Sequence, residues 1–187
     1  MSDFSATQIK NASVQMFNDG VKETGTKFGC MGTLESETEV REKTKVCEGK
    51  TEIRVIPLYQ TITVGAHIEL EVLRNMYGLS NEDLKAGVYK YGINAKHKNF
   101  VFTADEIDEF GDVVKLKAYP NCTATSGMNV SIDNDADEVA YVEMEFRANP
   151  DEKGEIMYEA VVSEVDPTIA GGWHTDFTPT LIEEPAV

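Results

Sequence analysis

The run Asp133-Asn134-Asp135-Ala136-Asp137-Glu138 places side-chain oxygens at the spacing of a calcium loop. Its first five positions fit an EF-hand. The sixth, which needs glycine for a sharp turn, is Glu138, and the twelfth, which needs a bidentate glutamate, is Met144. A solvated acidic turn between strands accounts for the run; a calcium site outside the EF-hand class is the alternative. His67, His97 and His174 are scattered, with no HExxH and no carboxylate at ligand spacing, so they read as surface or packing residues. The chain has no G-x-S-x-G nucleophile elbow, and Gly29-Cys30-Met31-Gly32 lacks the lysine of a phosphate loop. Trp173 is the only tryptophan, a poor supply for a sugar-binding platform and a better packing anchor. No carboxylate pair is singled out for glycoside hydrolysis. The expectation is a protein with no catalytic residue, no cofactor and no bound metal.

Those side chains belong to 187 residues carrying 17 Lys+Arg against 33 Asp+Glu, a formal net charge of −16. Length and a hydrophobic content of 41% suit one globular domain with a buried core. The charge excludes a broadly basic nucleic-acid surface and attraction to anionic lipid, although a local basic patch is compatible with that total. Apolar stretches fall far short of the ~20 residues of a membrane span, and the first residues show no apolar signal region, so neither membrane binding nor secretion is expected. Cys30, Cys47 and Cys122 form neither a CxxC pair nor a metal spacing and read as reduced thiols.

The dominant period is two. Ala140, Val142, Met144, Phe146 and Ala148 alternate with Tyr141, Glu143, Glu145 and Arg147, which predicts a strand with one wet face. The same pattern sets Ile68, Leu70 and Val72 against His67, Glu69 and Glu71. It also sets Val114, Leu116 and Ala118 against Lys115 and Lys117, and Ile156, Tyr158 and Ala160 against Glu155, Met157 and Glu159. Further strands are expected around 14–18, 28–34, 51–58, 98–104 and 121–132. Ser80-Asn81-Glu82-Asp83 reads as a capping box opening one short helix over about 80–86, stopped by Gly87. Residues 35–50 offer few core side chains but keep β-prone Thr and Val. They are either a solvated loop or a projecting β-arm, with Val40 and Val46 as candidate anchors on another subunit. Residues 1–165 are expected to form the β domain. Residues 166–187, rich in Pro and Gly, read as a disordered tail or as an extended arm ordered by binding; Ile169, Trp173 and Phe177 favour the arm.

The order of elements also carries a resemblance. A strand is followed by a short helix and the Gly87-Val88-Tyr89 exit, then Phe100–Ala104, the Glu109-Phe110-Gly111-Asp112 turn and Val113–Ala118. After 121–132 come a strand ending in Phe146-Arg147-Ala148 and Pro150-Asp151-Glu152-Lys153-Gly154 turning into Ile156-Met157-Tyr158. Over roughly residues 28–160 this succession resembles the major tail (tail tube) proteins of long-tailed bacteriophages and of phage-tail-like bacteriocins. The resemblance implies a mainly β, sandwich- or barrel-like fold with one flanking helix. It further implies hexameric rings stacked through an extended loop and terminal arms, in a virion tail assembled in the bacterial cytoplasm. The partners implied are the chain itself, a tape-measure protein and other tail proteins, with DNA passing without tight binding. It brings no active site. An acidic lining would suit such a conduit, since it repels phosphate. The faces bearing Glu69 and Glu71, or Glu143 and Glu145, are candidate lumen faces, the other reading being a solvated exterior. A DNA-free bacteriocin tube and a β-sandwich module binding glycan or protein at a cell surface are the alternative functions.

Overall fold

The computed structural model describes residues 7–129 and 142–183. Nine strands dominate it: β1 (Gln8–Asn18), β2 (Val21–Lys22), β3 (Thr26–Lys27), β4 (Gly29–Cys47), β5 (Lys50–Ile68), β6 (Asn99–Ile107), β7 (Val113–Ala124), β8 (Val142–Ala148) and β9 (Tyr158–Val161). Helix α1 (Leu70–Met76) separates β5 from β6, and helix α2 (Pro167–Gly172) and a 3-10 turn (Pro179–Ile182) follow β9. The fold is mainly β, as the alternation predicts.

These strands form one antiparallel sheet in the order β2-β1-β6-β7-β8-β5-β4, with β3 added to β1 and β9 to β7. The sheet curls until its ends meet: the Phe28 N–H, just before β4, donates to the Ala12 carbonyl of β1 at 2.9 Å. The closure is therefore barrel-like, one sheet wrapped around one core. Val14, Phe28, Ile62, Phe100, Phe102, Met144 and Phe146 fill the interior and are fully buried. Phe28 meets Phe102 edge-on at 5.3 Å, and Phe100 meets Phe146 in the same manner at 5.3 Å. In β8 the buried Met144, Phe146 and Ala148 alternate with exposed Glu143 and Glu145.

The helix lies elsewhere than the capping box indicates. Over 68–72 the chain leaves β5 and enters α1, with Glu69 as N-cap and Glu71 in the first turn. Val72 and Met76, four residues apart, go under the helix into the core. Glu69 and Glu71 therefore sit on no strand face. Residues 80–86 form turns instead. The Ser80 hydroxyl accepts from the Glu82 N–H at 3.1 Å, which is the cap's own chemistry. The backbone then swings away: Asp83 has φ of 61°, and Ser80 pairs with Lys90 as an isolated bridge.

The C-terminal segment is neither extended nor free within the described residues. Asp166 caps α2 by accepting from the Thr168 N–H at 2.7 Å, and Pro167 occupies the first turn. The segment then lies across the outer face of β1, β6 and β7. Trp173 and Phe177, each 1% exposed, pack with Val101, Leu116 and Ala118 in a second apolar cluster, against which Ile169 is partly buried. The Trp173 indole N–H donates to the Lys117 carbonyl at 3.0 Å, and the Ser13 hydroxyl donates to the His174 carbonyl at 2.7 Å. The His174 ring bridges Thr103 Oγ1 and Asp105 Oδ1, each at 2.8 Å, and Asn11 donates to the other Asp105 oxygen at 2.7 Å. Thr103 is fully buried, so this row of polar groups works as a latch on the segment.

One turn beside the segment is set by a single carboxylate. Asp151 accepts from the N–H groups of Lys153 and Glu155 and from the Tyr158 hydroxyl. Partial burial works to raise its pKa, but those donors outweigh it and hold the group below its ordinary value.

Gly25 makes the close approach of the segment feasible, because a Cβ there would stand 1.9 Å from the His174 carbonyl oxygen. Gly25→Ala is expected to lift residues 166–183, seen as faster limited proteolysis of that segment and a lower Tm. Trp173→Ala should cost about 3–5 kcal/mol in urea unfolding, the range for deleting a buried aromatic.

Candidate assembly interface

Glu48 and Gly49 adopt φ of 52° and 78°, the positive pair that a two-residue hairpin turn of type I′ requires. On either side, β4 and β5 pair from Cys47↔Lys50 back to Gly29↔Ile68. β8 joins β5 only from Gln60 to Ala66. Beyond Gln60 no third strand among the described residues supports the hairpin, so Val40–Tyr59 projects as a two-stranded ribbon for about 25 Å. A register shift between Glu39 and Val40 marks the point of departure, leaving Leu58 without a partner beside Pro57. Such a bulge bends the ribbon, and it is where a strand tolerates proline. Of the two readings of residues 35–50, the structure forms the β-arm, with both strands contributing.

The two faces of the ribbon differ in chemistry. Pairs Val40↔Pro57, Glu42↔Val55, Thr44↔Ile53 and Val46↔Thr51 share one face, since opposite residues in an antiparallel ladder point the same way. That face is apolar and uncovered: Val46 is 69% exposed, Ile53 62% and Val55 53%. Pairs Arg41↔Ile56, Lys43↔Arg54, Lys45↔Glu52 and Cys47↔Lys50 occupy the other face, which carries five cations and one carboxylate. Ile53, Val55 and this cationic set escape a reading by composition, because residues 35–50 mix both signs almost evenly along the chain. Strand parity, read across the Glu48-Gly49 turn, separates them.

Toward the barrel the same outward side of β4 becomes acidic. Glu35, Glu37 and Glu39 alternate along it, all exposed. Glu35 pairs with Thr63, which pairs in turn with Glu145; Gly65 pairs with Glu143, and Thr61 with Arg147. Five carboxylates thus face outward here, with Arg147 the one cation in these rows, its guanidinium stacked 4.0 Å over the Tyr59 ring. Glu145 also accepts from the Thr125 hydroxyl at 2.8 Å.

The remaining expected site residues are dispersed. Glu69 and Glu71 lie at the start of α1, away from Glu143 and Glu145 on β8. Val40 and Val46 are exposed on the ribbon, whereas Ile169, Trp173 and Phe177 pack within their own chain. Asp133–Glu138 lies outside the described residues. Among the described residues no group of three His, Cys, Asp or Glu side chains is placed to hold a metal ion. Cys30 and Cys47 are exposed; Cys122 is buried, and burial pushes its thiol well up.

No family model and no curated protein sequence matches the chain. Solved structures with a similar course include a chain of the cryo-EM anti-feeding prophage cap (AFP tube terminating cap), with a TM-score of 0.49 and 11% identity, covering 87% of this chain and 95% of that one. A chain of the six-fold symmetrised anti-feeding prophage baseplate gives a TM-score of 0.46 at 12% identity over 87% of this chain and 99% of that one. A chain of the extracellular contractile injection system PVC sheath-tube complex in the extended state gives 0.45 at 11% identity over 81% and 89%.

Because Val46 and Ile53 are exposed on the ribbon's apolar face, Val46→Asp with Ile53→Asp should leave monomer stability within about 0.5 kcal/mol in urea unfolding. Trp173→Ala provides the contrast on the same assay.

Proposed function

We propose that this chain is a structural, non-catalytic subunit that assembles with copies of itself into the stacked rings of a tail-type tube. The observation that carries this reading is the ribbon Val40–Tyr59, whose apolar face is left uncovered. A two-stranded hairpin is marginal in water by itself, so a projecting one gains from burial on a neighbour. A second uncovered apolar stretch supports the same reading: Leu84, Val88, Tyr91 and Ile93 are exposed on the excursion between α1 and β6. The element order that resembles tail tube proteins agrees with a barrel-like body carrying an arm.

Ring closure uses sheet edges, and stacking by a surface that does not match itself gives open-ended growth. Six subunits per ring, a tape-measure protein within and other tail proteins at the ends are the partners that the resemblance brings. The particle's location would be a virion tail or a tail-like particle assembled in a bacterial cytoplasm. With a net charge of −16, a tube of such subunits would let DNA pass without holding it. The same tube without DNA would serve a tail-like bacteriocin.

Negative-stain electron microscopy of the purified protein over a range of concentrations tests this. Rings or tubes with a central channel are expected, and Val46→Asp with Ile53→Asp should abolish them while the chain stays folded. A wild-type protein that stays monomeric at every concentration would overturn the proposal. Binding to a glycan array by that monomer would favour the cell-surface module instead.

A further inference from the structure

The net charge hides a division of sign along one surface. Arg41, Lys43, Lys45, Lys50 and Arg54 stand on one face of the ribbon, and none of them forms an ion pair with a described residue. Glu35, Glu37, Glu39, Glu143 and Glu145 stand on the outward side of β4, β5 and β8 at the ribbon's base. Both sets belong to the same side of one continuous ladder, as the odd-numbered residues of β4 from Glu35 to Lys45 show. Glu39 and Arg41 adjoin at the boundary and Glu52 stands opposite Lys45; beyond these neighbours, a ladder that cannot fold flat onto itself keeps the ribbon's cations away from the carboxylates at its base. Each set looks outward for a partner of opposite sign.

We infer that the cationic face of the ribbon docks on the Glu35–Glu37–Glu39–Glu143–Glu145 face of a second copy, fixing the direction and register in which copies follow one another. This rests on the self-assembly reading above and specifies its contact. The two surfaces differ, so the contact is heterologous: every copy offers one arm and one wall, and growth proceeds head to tail. Charge complementarity of this kind steers encounter and disfavours wrong registers, because a shifted arm moves its cations off the carboxylates and Glu52, the one carboxylate of its cationic face, onto others. The apolar face, with Val46 and Ile53, points away from this contact and is left for a further neighbour in the assembly. Glu143 and Glu145 are thereby assigned to a contact between copies in place of the lumen.

Charge reversal in two halves tests it. The arm-reversed variant carries K43E, K45E and R54E, and the wall-reversed variant carries E35K, E37K and E145K. Sedimentation velocity should show that each alone raises the concentration needed for assembly by about tenfold or more. Mixed together, they should assemble again, since each then supplies the surface that the other lacks. Rescue by mixing also shows that both variants are folded. If the wild type assembles, Val46→Asp with Ile53→Asp blocks it and the charge variants behave as wild type, this contact is overturned while the assembly reading stands. Absence of rescue on mixing overturns it too. If the wild type binds a short DNA duplex, and the arm-reversed variant loses that binding but keeps assembly, the cationic face is a polyanion site and the inference fails. A wild type that never assembles overturns both readings.

Discussion

A ribbon of two β-strands has two faces and no interior. The chain extends β4 and β5 well past the last residue that β8 can pair with, and every side chain from Arg41 to Val55 is left exposed. Such a structure gains little from its own hydrophobic contacts, and its backbone ladder alone is a weak hold. Under the proposed assembly, its order depends on what it is laid against. That constraint shapes the rest of the molecule: a closed, well-filled barrel anchors the base of the ribbon, and a bulge beside Pro57 sets the angle at which it leaves.

The barrel meets its own needs in a different way. Its interior is filled by aromatic and branched side chains, while the outer face of β1 and β6 carries Ser13, Gln15, Thr103 and Asp105, residues suited to water. The C-terminal segment covers that face and satisfies most of it through the His174 ring and the His174 carbonyl. Gln15 is the exception among these four residues, its amide fully buried with no hydrogen-bond partner among the described residues. The covering is thus a compromise between apolar anchoring by Trp173 and Phe177 and the polarity of the strands beneath.

Much of this was legible in the sequence, and the failures have physical causes. Period-two alternation is clearest in β8, which has one buried and one exposed face, whereas β6 is buried on both faces and the ribbon is exposed on both. The helix is misplaced by the sequence reading because Ile68, Leu70 and Val72 fit period two as well as Val72, Leu73 and Met76 fit a helical face. Ser80 meanwhile does accept from Glu82 as a cap would, in a turn that Asp83 then breaks. The large apolar residues after Asp166 signalled burial correctly, but composition cannot say whose surface buries them; it is the chain's own sheet. The two faces of the ribbon were invisible for a different reason. Charges that alternate with apolar residues along each strand look mixed in one dimension and separate only when two strands are paired in register.

The claim at the centre of this account is that the ribbon is completed by another copy of the chain. Hydrogen–deuterium exchange of the backbone amides in 40–59, followed in dilute protein and in assembled protein, tests it most directly. The account predicts fast exchange in the dilute chain, slow exchange after assembly, and little change in the amides of β6 and β7. Amides of 40–59 that are equally protected at all concentrations, or that stay unprotected within an assembled particle, would contradict it.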